Sequence, residues 1–454
     1  MKKIFNYILV CLLFAVADQS TLEGKERLAV VGSGGSGLTT AWLLDEDYEV
    51  TLFESQNRLG GHANSIEVEI EGKKIPIEAG FEFIQKIQFP HFYHLLSDIL
   101  ELPLHNYTLT TNFYNVNHAD EGLTLPPIHD GKIDWQSLRP NDLFKMVQFD
   151  HLLNVGKRLI DIQDVGVTLE DFVESLKLST SFKNDFLYPF LAAGWGVSPQ
   201  DIKLFAAYDG LKYVIEGKQA DHFQWTEIVG GTQTYIQALA KQLQNSIVKT
   251  SSNIVSITRQ DGIYTIREED GTLSQFEHLV IATNAMQACT LLKDIPETLD
   301  VRTLLGQIKY YKTEIAIHGD TRFMPMNKED WRVVNVRYNG IESATTVYKE
   351  WLSPPENPIF KSWITYDVRS PYDRGNTRPD PLYYLVEYQH PKADLAYYQT
   401  QKALACLQGL RNLWFAGNYT YDNDSHESAI LSAARVAEKM APHSSRLARL
   451  LNVK

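Results

Sequence analysis

RLAVVGSGGSGLTTAWLLDEDYEVTLFESQNRLGGH, Arg27 to His62, is the stretch on which the fold turns. Leu28, Ala29, Val30 and Val31 form a short apolar run that ends at once in glycine, which suits a strand buried on both faces of a parallel sheet. Gly32, Gly34 and Gly37 then give G-x-G-x-x-G, with Gly35 and Ser36 completing the loop. One glycine serves a tight turn, one lets the backbone approach a phosphate, and one lets helix pack closely on strand. The helix that follows points its first N–H groups and the positive end of its dipole at that phosphate. Leu38, Ala41, Trp42 and Leu44 supply its apolar face, and a second strand, Glu49 to Phe53, delivers Glu54 and Ser55. Glu54 lies 22 residues beyond Gly32, where a carboxylate accepts hydrogen bonds from ribose hydroxyls. A lone G-x-G-x-x-G is weak. Strand, turn, helix, second strand and terminal acid at this spacing together read as a dinucleotide cradle.

Arg58, Gly60, Gly61 and His62, in NRLGGH, follow the acid directly. At this point the sequence resembles the flavin-containing amine oxidase superfamily, in which an R-x-G-G segment lies against the pyrophosphate of FAD. The resemblance continues in IEAGFEFI, Ile77 to Ile84, similar to the family's acid-x-Gly segment beside the flavin, with Glu78 for the more usual aspartate. It implies that Gly80 and Phe81 lie at the cofactor. Near the C-terminus, LWFAGNYTYDNDSHESAILSAARVAEKM, Leu413 to Met440, reads as a buried strand, a glycine turn and a helix with an alanine-rich face. This resembles the family's closing FAD motif and implies cofactor contacts for Gly417, Asn418, Glu427, Ser428, Ala429 and Ile430. Two departures stand out. Asn418 replaces the family's acid, and Ser425 stands where amine oxidases often carry one wall of an aromatic cage; Tyr419 and Tyr421 lie nearby. The order HGDTRFMP, EYQHP, LQGLRNLWFAG, SHESAILSA resembles a bacterial branch of predicted NAD/FAD-binding oxidoreductases, over most of residues 27 to 440. Lipid-modifying reactions are among the activities suggested for that branch.

The implied fold is α/β: a Rossmann-type FAD-binding domain with a β-meander, of the glutathione-reductase-like kind, interleaved with an α+β substrate domain. At 454 residues the chain exceeds one simple core. The FAD-binding domain is expected at 24–85, 225–290 and 405–442, and the substrate domain at 86–224, mostly helical, and 291–404, with a C-terminal tail at 443–454. Ser65 to Ile77 alternates around Glu71-Gly72 as a hairpin. Helical periodicity appears in Asp142 to Ile162 and in Leu169 to Leu176, with Thr168 as a cap. Trp195, in the apolar segment LYPFLAAGW, reads either as a cavity wall or as a buried structural tryptophan. Gly230-Gly231 before a helical stretch resembles the family's return to the cofactor domain, and the strand from Ile254 resembles the one that meets the adenine. Residues 254 to 283 then read strand, turn, strand, turn, strand. In IKYYKTEIAIHGDTRFMP the resemblance places the lysine that hydrogen-bonds a water near flavin N5. Lys312 matches best as the catalytic residue, with Lys309 competing and a solvent-facing lysine as the plain reading.

Met1-Lys2-Lys3, the apolar run Ile4 to Phe14 and Ala15-Val16-Ala17 read as a signal peptide over 1–17, cut before Asp18. The protein is therefore expected to be exported, periplasmic or secreted, with an uncleaved anchor as the alternative. The cut would leave 41 basic against 56 acidic residues, a net charge of −15, which disfavours nucleic acid. Only Cys289 and Cys406 would remain, without a metal or disulfide pattern. His91 and His94 form a bare H-x-x-H with no acidic partner, which favours packing over a metal. Hydrophobic content of 44% is ordinary, and 8 Trp, 23 Tyr and 20 Phe suit an apolar substrate cavity as readily as ordinary core and surface positions.

Three functional readings follow from the resemblance. In the first, the chain transfers a hydride from a substrate C–H bond beside an amine nitrogen to flavin N5, with dioxygen or another acceptor taking the electrons. In the second it is a flavin-dependent desaturase, saturase or isomerase of a lipid or isoprenoid. In the third it binds FAD without catalysis.

Overall fold

β1 (Arg27–Val31) is buried from Leu28 onward, and the glycine turn after it leads directly into α1 (Gly35–Leu44). The computed structural model describes residues 24–129, 132–133, 138–217, 224–370, 373 and 375–453, so the expected signal segment lies outside the described residues. β2 (Glu49–Phe53) returns parallel to β1, with Val30 opposite Leu52. β3 (Ser65–Ile70) and β4 (Lys73–Glu78) form the expected hairpin. A short helix, α2 (Pro90–His94), follows.

The segment from 86 to 224, expected to be mostly helical, opens with strands. β5 (Thr111–Asn115) and β6 (His118–Leu125) pair antiparallel before the helices α3 (Pro140–Asp161), α4 (Tyr188–Trp195) and α5 (Ala207–Gly217). Their alternation is partly hidden in sequence because Thr111 to Tyr114 is buried on both faces. Within the cofactor half, α6 (Gln233–Ala240) precedes β7 (Ile247–Lys249) and the meander β8 (Ile254–Gln260), β9 (Ile263–Glu268), β10 (Leu273–Phe276). β11 (His278–Ile281) then returns to the parallel sheet.

The second substrate segment supplies β12 (Tyr310–His318), β13 (Val334–Tyr338), β14 (Ser343–Tyr348), β15 (Phe360–Trp363) and β16 (Leu382–Pro391). After α7 (Leu395–Ala405) come β17 (Leu413–Phe415), α8 (His426–Met440) and α9 (Ser445–Leu451). The last corrects the expected tail: α9 buries Leu447 and Leu450 in the same core as α1.

Two sheets organise the molecule. The five-stranded parallel sheet has the order β7-β2-β1-β11-β17, with α1 and α8 packed together against it. Ala433, Ala434 and Ala437 lie buried on α8, and such small side chains let helices approach closely. The seven-stranded sheet has the order β16-β12-β15-β14-β13-β5-β6 and is antiparallel except where β13 runs parallel to β5. It therefore joins strands from both substrate segments.

Candidate functional site

The glycine loop does what the spacing requires. Gly32 has φ +100°, and a Cβ built on Gly37 would lie 1.8 Å from the Gly32 carbonyl oxygen, so α1 starts in contact with the strand. A Cβ on Gly34 would meet nothing within 4 Å, whereas one on Gly61 would lie 3.2 Å from the Gly34 Cα. The R-x-G-G turn thus closes over one side of the loop, and the other side of Gly34 is open. Arg58 holds that turn by donating to the carbonyls of Gly61 at 2.9 Å and Ala63 at 3.3 Å. Glu54, buried at the end of β2, accepts from the Ser33 N–H and hydroxyl at 3.1 and 2.5 Å and from the Gln56 N–H at 2.8 Å. Its backbone meets residues 249 and 252, two positions before Ile254, so the start of β8 stands beside the acid. Gly80 and Phe81 fold back on His62, whose carbonyl accepts the Phe81 N–H at 3.0 Å.

The closing motif meets this loop from the far side. Gly417, with φ +151°, follows β17 and donates its N–H to the Ser432 hydroxyl at 2.8 Å. Ser428 is buried in the first turn of α8, and Ser425 caps that helix by accepting the Ser428 N–H at 3.0 Å. Ser425 is therefore committed to the helix. Ala429 and Ile430 follow in the same turn, with Ile430 in the core shared with α1. Glu427 turns away from the loop: it accepts the His91 and Phe92 N–H groups at 3.0 and 2.8 Å, and pairs with His91 Nδ1 at 2.7 Å. Its carboxylate caps α2, so the expected contact of that side chain with the cofactor is corrected to a structural one, and His91 takes a packing role. His426, unremarked by residue-level reasoning, stacks on Phe81 at 4.5 Å and bonds the Tyr235 hydroxyl through Nε2 at 2.7 Å. Its ring sits against Gly35, where a Cβ would lie 2.7 Å away, and burial pulls its pKa to about 3.

Strand parity moves the catalytic lysine out of the site. In an antiparallel pair, residues directly opposite share a face and successive residues alternate. β12 and β16 pair Tyr311 with His390 and Thr313 with Tyr388, and on the other face Lys312 with Gln389 and Glu314 with Glu387. The first set is the inner face: Tyr388 and His390 lie 4.6 and 5.2 Å from His62, ring to ring, and Thr313 is fully buried. Lys312 faces outward, its side chain 66% exposed and paired with Glu387 at 3.0 Å. Lys309 is exposed too, its Nζ 3.2 Å from the Gly306 carbonyl.

Two buried lysines occur elsewhere on this sheet. Lys361 on β15 donates to Glu82 at 2.8 Å and to the Gly80 carbonyl; Lys349, just beyond β14, pairs with Glu82 at 3.0 Å and Glu227 at 2.7 Å. Burial pushes the Glu82 carboxyl up, but Lys361 and Lys349 outweigh it and hold it below the usual range. Two cations thus face two anions. Glu78 is different: burial raises its pKa against bonds from Thr232 and Ser65. A cavity of about 370 Å³ opens here between β4, the Gly230-Gly231 turn and the ends of β14 and β15.

Polar groups also gather beneath the inner face. Solvent reaches the His62 ring, yet protein surrounds it closely enough that burial, then His390, pulls its pKa to about 4, as on a cleft wall. Asn418 Nδ2 donates to Asp424, and its Oδ1 accepts the Tyr419 N–H at 2.9 Å. The acid missing at 418 thus reappears at 424, where an acid at both places would set like charges together. Asp209, fully buried on α5, accepts from the Tyr398 hydroxyl at 2.7 Å and the Asp424 N–H at 3.2 Å, and burial pushes it up to about 8. Trp195 packs against Phe205 and Tyr213 at the edge of the helical core. Among the described residues, Cys289 and Cys406 are free, and no group of three His, Cys, Asp or Glu is arranged for a metal.

The donor set fits FAD: open space above Gly34, a glycine turn closing on that loop, a carboxylate ending β2, and a second glycine turn and helix N-terminus opposite. Fold and site define a FAD-dependent oxidoreductase. The model for the flavin containing amine oxidoreductase family matches residues 36–324, more than half of the chain, and the chain belongs to that family. Over 63 residues it is 43% identical to protoporphyrinogen oxidase of Saccharomyces cerevisiae, a match that spans 13% of this chain and 12% of the yeast protein. Solved structures share the fold along most of the chain. A CLA-producing fatty acid isomerase from P. acnes has a TM-score of 0.66 at 16% identity, covering 92% of this chain and 99% of that one. Cyclohexylamine oxidase from Brevibacterium oxydans IH-35A has 0.63 at 16% identity, covering 92% and 100%, and a putative protoporphyrinogen oxidase from Exiguobacterium sp. 255-15 has 0.61 at 16%, covering 92% and 99%.

Proposed function

We propose that this protein oxidises a C–H bond next to an amine nitrogen of a small-molecule substrate, with dioxygen as the final electron acceptor, and that it acts outside the cytoplasm after export. The observation that carries the amine reading is the carboxylate of Asp424 in the closing motif, facing the inner sheet beside His390, where it favours a cationic substrate over an anionic one. FAD, when bound, supplies the two-electron chemistry by accepting the hydride. The chain's own residues do the rest. Gly32, Gly34, Gly37, Gly60, Gly61 and Glu54 hold the dinucleotide, while Gly80, Phe81 and the turn from Gly417 flank its reactive end. Tyr311, Thr313, Tyr388 and His390 share the inner face of β12 and β16 and wall the site on that side.

A second reading, a C–H bond of a lipid, is favoured by one observation: Ser425 is used up as a helix cap and builds no aromatic cage wall. The fold likeness to the fatty acid isomerase of P. acnes accords with it. Anaerobic photoreduction of the purified protein, followed by readmission of air and an amine panel, separates the two. Reoxidation in seconds with peroxide, and bleaching by an amine, supports the first reading. Reoxidation over many minutes and no response to amines sinks it in favour of the lipid, and a bound flavin that no donor reduces points to binding without catalysis. Export is tested by finding the mature N-terminus at Asp18 in the periplasm or medium; a protein retaining Met1 in the cytoplasm refutes it.

A further inference from the structure

His390 lies near the end of β16, on the inner face, and nothing in the glycine motifs calls for it. Its ring is 5.2 Å from that of His62 and 5.7 Å from that of Tyr311, centroid to centroid. Nδ1 stands 3.4 Å from Asp424 Oδ2, and Nε2 has no hydrogen-bond partner among the described residues. At 3.4 Å the pair is a charge contact between ring and carboxylate rather than a hydrogen bond. Asp424 is held from three sides: Asn418 donates to its other carboxylate oxygen, the Tyr213 hydroxyl donates to its carbonyl at 3.1 Å, and its own N–H donates to Asp209 at 3.2 Å. The result is a base candidate, an orienting carboxylate and a fixed frame behind both.

The surroundings leave little else to take a proton. His62 is kept neutral, its pKa pulled down to about 4, because burial, then His390, disfavours its charge. Burial keeps the Tyr311 and Tyr388 hydroxyls protonated, the latter up to about 12. Asp209 holds its proton up to about 8. The lysine expected to work through a water is on the opposite face. Among the described residues facing the ring, Asp424 is the charged partner left to His390.

We infer that His390 is the proton acceptor of the site and Asp424 its positioning residue: Nε2 takes the proton that a substrate ammonium must lose before its neighbouring carbon is oxidised. The inference rests on the amine reading above. An ammonium has its lone pair tied up in an N–H bond and cannot stabilise positive charge on the next carbon, whereas the free amine can. One N–H bond breaks, one Nε2–H bond forms, the amine nitrogen keeps the electron pair, and no electron leaves the imidazole. Asp424 turns the ring so that Nε2 faces the substrate and shares the charge it gains, as a carboxylate behind a catalytic histidine does in general.

The test uses the FAD-loaded full-length protein and its variants His390→Gln and Asp424→Asn. The first readout is the histidine ring signals by NMR, with His390 assigned from the resonance missing in His390→Gln. Asp424→Asn is expected to change the His390 ring signals, because the carboxylate beside Nδ1 is removed; unmoved signals overturn the pairing. The second is the rate constant for flavin reduction by an amine from the panel, followed against pH. In the wild type it rises with pH as the proton acceptor is freed. In His390→Gln the plateau falls about 100-fold and the pH limb disappears, the usual size of a lost acid–base group. A retained limb overturns the proposal, and so does loss of FAD from His390→Gln, which would make the residue a cofactor holder. Failure of every amine to reduce the wild-type flavin sinks the amine reading by itself. The ring signals then decide the pair: a change in Asp424→Asn sustains it, and none refutes it.

Discussion

Gly34 and Gly37 are both glycines of one loop, and the structure makes opposite demands of them. Gly34 has φ −63° and ψ −177°, extended backbone that any residue adopts, and a methyl there meets nothing within 4 Å. In Gly34→Ala, reduced freedom of the unfolded chain stabilises by about 0.4–1 kcal/mol. The poorer helix N-cap costs about 0.5–1 kcal/mol. The apoprotein should therefore keep its stability to within about 0.5 kcal/mol. Cofactor binding is another matter, because the methyl fills the side of the loop from which backbone N–H groups reach a phosphate. Two bonds to a charged group at about 1.5 kcal/mol each give a loss of about 3 kcal/mol, or roughly 100-fold in affinity. Gly37→Ala instead drives a methyl to 1.8 Å from the Gly32 carbonyl oxygen. Helix and strand must separate, which costs about 3 kcal/mol at least as overpacking, and binding is lost with the fold. Urea unfolding of the apoproteins and FAD titration by fluorescence quenching measure both quantities. A Gly34→Ala protein that binds FAD within threefold of the wild type, or that unfolds as easily as Gly37→Ala, refutes the assignment of the loop.

Lys361→Met leaves the buried Glu82 with one cation, and unpairing a buried charge costs about 3–5 kcal/mol, read as a lower urea midpoint; Lys312→Ala, at an exposed pair, should move stability by less than about 0.5 kcal/mol. A tenfold slower flavin photoreduction in Lys312→Ala would return that lysine to the site. Glu427→Gln should cost about 1–3 kcal/mol, since a neutral amide receives the α2 N–H groups less well than a carboxylate, while FAD content stays at wild type; stability unchanged with FAD lost would reverse the correction made above. For pH, His426 is neutral in the fold with a pKa of about 3 and takes a proton near 6.5 when unfolded. The unfolded state therefore binds more protons, and stability present above pH 6.5 is lost as pH falls toward 3, by at most about 1.4 kcal/mol per pH unit for one group. His62 adds in the same direction. His426→Phe, which keeps the stack on Phe81, should flatten this slope between pH 6.5 and 4.5; a slope as steep as the wild type's would mean that other groups carry it.

The cradle was legible because its requirements are local: Gly32, Gly34, Gly37 and Glu54 lie within one β-α-β unit, and steric need fixes the residue type at each position. The closing motif around Gly417 was legible for the same reason. Lys312 was misplaced because parity along a strand is set by the partner strand, and no local feature tells which face of Tyr310–His318 meets the cofactor domain. Glu427 failed differently. Its sequence context marks a helix N-terminus, but the N–H groups it caps belong to α2, 335 residues away. His390, Asp424, Asp209 and the Lys349–Glu82–Lys361 chain meet only through tertiary folding, and His390 was visible solely as one letter of EYQHP. The departure at Asn418 was seen as a lost charge; only coordinates reveal Asp424 in its place.

Both sheets are assembled from distant parts of the chain, and this bears on when the protein is able to fold. β1 pairs with β11 some 250 residues later, β11 waits for β17, and β5 waits for β13. The seven-stranded sheet lacks an edge until Leu382–Pro391 leave the ribosome and the five-stranded sheet until Leu413–Phe415 do, and long-range parallel pairing is slow to begin even then. The nascent chain is thus held open by its own topology for most of its synthesis, with bare strand edges that invite aggregation and call for a chaperone. Under the export proposed above, the same delay would keep the chain slack enough to pass a membrane.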